Sequence, residues 1–151
     1  MGTRSNIIAQ MSDGTWASIY CHWDGYVSHN GEILQNHYDS QDKVEQLIAL
    51  GDLSSLAPEI GEKHPFEQAT NKEYDNWCCA YGRDRNETDC QAQTGVSFYD
   101  VLNSQEYVYV WFENKWWIMN RDNTKCVLLA SIIENEDEDE NFQYSDLPWR
   151  K

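Results

Sequence analysis

SNIIAQMSDGTWASIYC, residues 5–21, is the stretch that decides the fold. Two β-prone runs, about Asn6–Met11 and Thr15–Cys21, flank Ser12-Asp13-Gly14. Asp and Gly both tolerate positive φ, so Asp-Gly between such runs predicts a hairpin turn. Alternation along the second run places Trp16, Ser18 and Tyr20 on one face and Ala17, Ile19 and Cys21 on the other. A second hairpin is read in YVYVWFENKWWIMN, residues 107–120, with strands near Tyr107–Phe112 and Lys115–Asn120 around Glu113-Asn114.

Between the hairpins the apolar period changes from two to that of a helix. Asn30–Tyr38 makes about two turns, with Ile33, Leu34, His37 and Tyr38 on one side. Ser40 is placed as an N-cap for a helix whose apolar positions are Val44, Leu47, Ile48 and Leu50, and Gly51 is placed to stop it. VSFYDVLN (96–103) reads as a short helix and WCCAY (77–81) as a buried strand. KCVLLASII (125–133) fits either a buried strand or a packed helix. Residues 58–76, with two prolines and a glycine, and the polar stretch 82–95 read as surface loops. Together these elements predict one α+β domain over residues 1–133, an antiparallel sheet of about five strands with two or three helices on one face. An acidic C-terminal segment, 134–151, follows. A length of 151 residues suits a single core, and seven tryptophans and nine tyrosines supply large burial per residue.

The formal net charge is −15, with 26 acidic and 11 basic residues. Such a chain has few cations to neutralise a phosphate backbone, which argues against nonspecific nucleic-acid binding and against an anionic membrane surface, so neither is expected as a partner. Six of the surplus charges sit in ENEDEDE, residues 134–140, which leaves nine on the rest. The acidity is therefore distributed, and fits a basic protein partner or mimicry of a nucleic-acid backbone. No apolar run reaches a membrane span, and MGTRSNII lacks the apolar core of a signal peptide, so a cytoplasmic chain is expected. Five cysteines at irregular spacing make a poor disulfide framework and are expected to be reduced thiols.

Two loops collect reactive side chains. YCHWDGYVSHNG, residues 20–31, leaves a strand where Arg4, His22 and Asp24 can meet. Cys21 and His22 point to opposite faces as strand neighbours, so no thiol–imidazole nucleophile pair is expected. His22, His29 and His37 lack i,i+4 spacing and the cysteines lack a zinc-type spacing, so neither a metal nor a cofactor is expected. The structural reading of Trp23-Asp24-Gly25 is a turn: the carboxylate bonds backbone amides and Trp plugs the core. In YGRDR, Arg83 and Arg85 flank Asp84, an arrangement that suits either a phosphate clamp or structural ion pairs. The aromatic run 107–117 leaves two uses in so acidic a chain, core and a homodimer interface.

MGTRSNI, IYCHWDGY, HNG, LIALGDLSSL and AYGRDR together resemble a family of small uncharacterised proteins of tailed phages, prophages and bacteria. The resemblance covers about residues 1–102 and departs from the family pattern at Val27, where Pro is common. It implies a phage or mobile-element context and host cytoplasm, and assigns no catalytic residue. With the charge, it leads to an expected noncatalytic inhibitor of a host defence system, of anti-CRISPR or anti-restriction type. The partner would be a basic, nucleic-acid-binding effector, met by Glu134, Glu136, Asp137, Glu138, Asp139 and Glu140. The alternative is a phosphorylated-nucleotide site, with Arg4, Arg83, Asp84 and Arg85 as ligand-binding residues and His22 and Asp24 as acid–base groups.

Overall fold

The computed structural model describes residues 2–66, 74–134 and 144–150. β1 (Ser5–Gln10) and β2 (Trp16–Cys21) form the expected antiparallel hairpin, with Ile7 opposite Ile19 and Ala9 opposite Ala17. Gly14 turns the chain at φ 90°, and Asp13 Oδ1 accepts the Thr15 N–H at 2.9 Å. β6 (Tyr107–Phe112) and β7 (Lys115–Met119) form the second hairpin around Glu113 and Asn114, both at positive φ.

The sheet is larger than expected and mixed. Among the described residues it has eight strands, including β3 (Leu53–Ser55), β4 (Cys79–Ala80) and β8 (Cys126–Leu128), seven of them in the order β4-β3-β2-β1-β6-β7-β8. β5 (Gln93–Gly95) lies off this path, against the first half of β2, while β3 meets the end of β2 at Cys21. The purely antiparallel expectation fails at two pairings: β1 runs parallel to β6, and β2 parallel to β3. Local pattern identifies a strand but not which distant edge it meets, and strands of two or three residues are too short for alternation to be read.

Helices cover both faces, not one. On the first face Ile7, Ile19, Tyr109 and Trp111 pack under α1 (Glu32–His37), α2 (Gln41–Ala49) and α5 (Leu129–Glu134). On the second, Ile8, Trp16, Val108 and Val110 pack under α4 (Phe98–Val101) and the segment 144–150. The cause lies in the central strands. Ile7 and Ile8 point to opposite faces and both are fully buried, so β1 has no solvent side. Each such side chain contributes roughly 1.5–3 kcal/mol.

Ser40 Oγ accepts the Lys43 N–H at the start of α2, and Val44, Leu47 and Ile48 are buried, as the period requires. Gly51 ends this helical segment at φ 78°, where a Cβ would overlap the Cys90 carbonyl oxygen. A π-helical turn, Val27–Gly31, leads into α1. His37, placed by spacing on the apolar side of α1, is exposed. The ambiguous run 125–133 is both things in succession, β8 and then α5. Residues 144–150 belong to the packed body. Ser145 bridges Cys126, Leu147 is buried, and the Trp149 ring sits among Trp16, Phe98, Phe112 and Trp117. Glu134 is exposed at the end of α5; Glu136, Asp137, Glu138, Asp139, Glu140 and Phe142 lie outside the described residues. Among the described residues, no helix is long and apolar enough to cross a membrane.

Candidate functional site

The strand exit after β2 is a knot of backbone and buried polar groups. His22 and Trp23 continue along β3, their N–H groups donating to the Leu53 and Ser54 carbonyls at 3.0 Å. Asp24 takes φ 57°, and the Gly25 carbonyl accepts from Tyr109 Oη at 2.6 Å. Asn30, fully buried, closes the loop. Its Nδ2 faces the Trp23 carbonyl at 3.3 Å, Ser5 Oγ at 3.2 Å and Cys21 Sγ at 3.4 Å, while its Oδ1 lies 2.9 Å from His29 Nδ1. Burial pushes the Cys21 thiol up to about 12, so it is no thiolate at neutral pH. His22 Nδ1 lies 2.7 Å from Tyr20 Oη; burial pushes the pKa of that phenol up, and the Arg4 charge acts against the larger effect of burial by lowering it. Asp24 turns away to accept from Tyr26 Oη at 3.2 Å. Of the predicted trio, His22 is held by Tyr20 and Asp24 by Tyr26, so the two acid–base candidates have different partners.

YGRDR is not a loop but a short helix, α3 (Tyr81–Arg85), that leaves β4 directly. The Asp84 side chain is fully buried and accepts from the His64 N–H at 3.2 Å and the Ala80 N–H at 2.8 Å. Arg83 Nε meets it at 2.9 Å, and the same guanidinium donates to the Ile60 and Cys78 carbonyls at 2.8 Å. Arg83 and Asp84 thereby fasten the segment before residue 67 to β4. His64 adds to this node, with Nε2 lying 2.9 Å from the Cys78 carbonyl oxygen. Arg85 pairs with Glu87 and lies over the rings of Phe66 and Tyr81. These partners are those of structural ion pairs, and the charge of Arg83 is matched inside the fold.

The third place was not singled out from the sequence. An open cleft of about 560 Å³ lies between the β1–β2 turn, the end of α2 and residues 87–94. Ala17, Ile48, Leu50 and Ala92 give it an apolar floor, while Asp13 and Glu45 stand at its lining. Glu45 Oε2 accepts the Ser12 N–H and Gln41 Nε2, each at 2.7 Å, and these bonds hold its carboxyl below the usual range. Thr15 does the same for Asp13. The only signal in the sequence is that Glu45 lies one residue after the buried Val44 on an amphipathic helix. What it faces depends on the distant turn.

No family model, curated protein or solved structure matches this chain.

The described residues offer little for covalent or metal chemistry. Burial raises all five thiols, Cys79 to about 12 and Cys126 to about 11, with Cys78 and Cys90 also shifted upward. None is joined in a disulfide. Among the described residues no three His, Cys, Asp or Glu side chains are grouped to hold a metal ion.

Proposed function

We propose that this chain is a noncatalytic binding protein whose anionic surface engages a basic protein, in the manner of a phage-type inhibitor of a restriction or CRISPR effector. The observation that carries the reading is the imbalance of 26 acids over 11 bases, combined with the internal use of the bases. Arg83 is matched by Asp84, Arg85 by Glu87 and Lys43 by Asp39, so each of those three cations sits beside a carboxylate of the chain itself. The acids of 134–140 add to the same net charge. Carboxylates spaced over a face stand in for phosphates, and the field steers a basic partner to it.

The test is capture from bacterial lysate on the immobilised chain at about 50 mM and about 200 mM salt, with and without competing duplex DNA. The expected result is a basic, nucleic-acid-binding protein that is released by salt and displaced by DNA. A partner retained at high salt and indifferent to DNA would argue against the reading. Replacing Glu136 to Glu140 with neutral residues is expected to weaken capture.

A further inference from the structure

The cleft between the β1–β2 turn and α2 combines an apolar floor with anionic walls, and among the described residues no Lys, Arg or His lines it. From this charge complementarity we infer that the cleft is the docking site for an arginine-bearing basic segment of the partner protein. The inference rests on the anionic-surface reading above and gives it a location.

Three features support it. The cleft is large enough for a long side chain and part of its backbone. The arginine stem has methylenes that suit the Ala17, Ile48 and Leu50 floor, and its guanidinium is weakly hydrated and forked, suited to carboxylates at the edge. The two carboxylates are also without an internal cation. Asp13 and Glu45 carry no ion pair among the described residues, in contrast to Glu87 across the cleft, which holds Arg85. Their bonds to Thr15, Ser12 and Gln41 come from neutral donors, so the negative charge remains uncompensated and is fixed in direction.

The walls are set before any partner arrives. The β1–β2 turn is tied to α2 through Ser12 to Glu45, and β1 through Gln41 Nε2 to the Gln10 carbonyl at 3.0 Å. The opposite wall is held by the Asp52 N–H donating to the Cys90 carbonyl at 2.8 Å. A preformed cleft spares a partner part of the ordering cost. A second cleft, of about 610 Å³, has both Glu106 and Arg121 in its lining and carries no such preference for a cation.

The experiment is a titration of the full chain with a hexa-arginine peptide, followed by backbone amide shifts, with a hexa-glutamate peptide as control. Shifts are expected at Ser12, Ala49 and Gln91, and the paired variants Asp13→Asn and Glu45→Gln should weaken binding roughly fivefold, the scale of two exposed ion pairs. Both variants retain an acceptor oxygen, so the turn and α2 stay tied, and an unchanged amide spectrum away from the cleft checks this. Salt-sensitive binding that shifts only residues elsewhere, or that the double variant leaves unaltered, overturns the cleft while leaving the anionic-surface reading standing. Absence of any hexa-arginine binding at low salt sinks both.

Discussion

The carboxylate of Asp84, fully buried, lies 2.9 Å from Nε of Arg83, its neighbour on the same short helix. Arg83 in turn spans two carbonyls, so a single pair holds three chain segments. Asp84→Ala strands a half-buried guanidinium and leaves the His64 and Ala80 N–H groups without acceptors. A loss of about 3–5 kcal/mol is expected in denaturant unfolding. Asp84→Asn keeps an acceptor and should cost less. An Ala variant within about 1 kcal/mol of the parent would show that the pair is dispensable.

Asn30 is the corresponding knot for residues 20–31. Asn30→Ala removes its contacts with the Trp23 carbonyl, Ser5 and Cys21. Unfolding should become easier by about 1–3 kcal/mol, because buried groups lose their partner. Cys21 should also become modifiable by a thiol reagent in the native protein. Continued protection of Cys21 would mean that the loop closes without Asn30.

Four of the five cysteines are buried and only Cys90 is partly exposed. A disulfide reagent at pH 8 should therefore titrate one thiol quickly in the native chain and five after denaturation. Fast reaction of two or more native thiols would contradict the burial of the other four.

The same thiols set an alkaline limit. Their folded-state values, about 12 for Cys21 and Cys79 and about 11 for Cys126, lie above the ordinary 9.0. Above pH 9.0 the unfolded chain loses these protons first. The stability they contribute is thus complete below that pH and is lost as pH rises toward 11–12. Each thiol adds a slope of up to about 1.4 kcal/mol per pH unit. Chemical denaturation from pH 8 to 11 in reductant should show this decline, and Cys126→Ala should flatten it. A profile identical in parent and variant would remove Cys126 from the explanation.

Glu113 occupies φ 52° and Asn114 φ 62° in the β6–β7 turn. Asn accepts this conformation readily, and Glu does so at a cost. Glu113→Gly should raise stability by up to about 1 kcal/mol, the relief of about 1–2 kcal/mol of left-handed strain exceeding the roughly 0.5–1 kcal/mol that glycine costs in entropy. A raised denaturant midpoint with an unchanged slope is the expected readout. A lowered midpoint would indicate that the Glu113 side chain has a stabilising role.

Both hairpins, the body of α2 with its Ser40 cap, and the stop at Gly51 were legible in the chain because each depends on residues within about ten positions. The facing of Trp16, Ser18 and Tyr20 against Ala17, Ile19 and Cys21 followed from the pleat alone. The charge imbalance was equally plain in composition. Tertiary structure decided the rest, because the energy lies in surfaces that meet only after folding. β1 pairs with β6 across about a hundred residues, and nothing local to SNIIAQ specifies that edge. Ile8 needs a second covered face, which α4 and residues 144–150 supply. Whether Arg83 is a ligand clamp or a brace depends on where Ile60, Cys78 and Asp84 come to rest around it. Glu45 becomes one wall of a cleft only because the turn at Ser12 folds over α2.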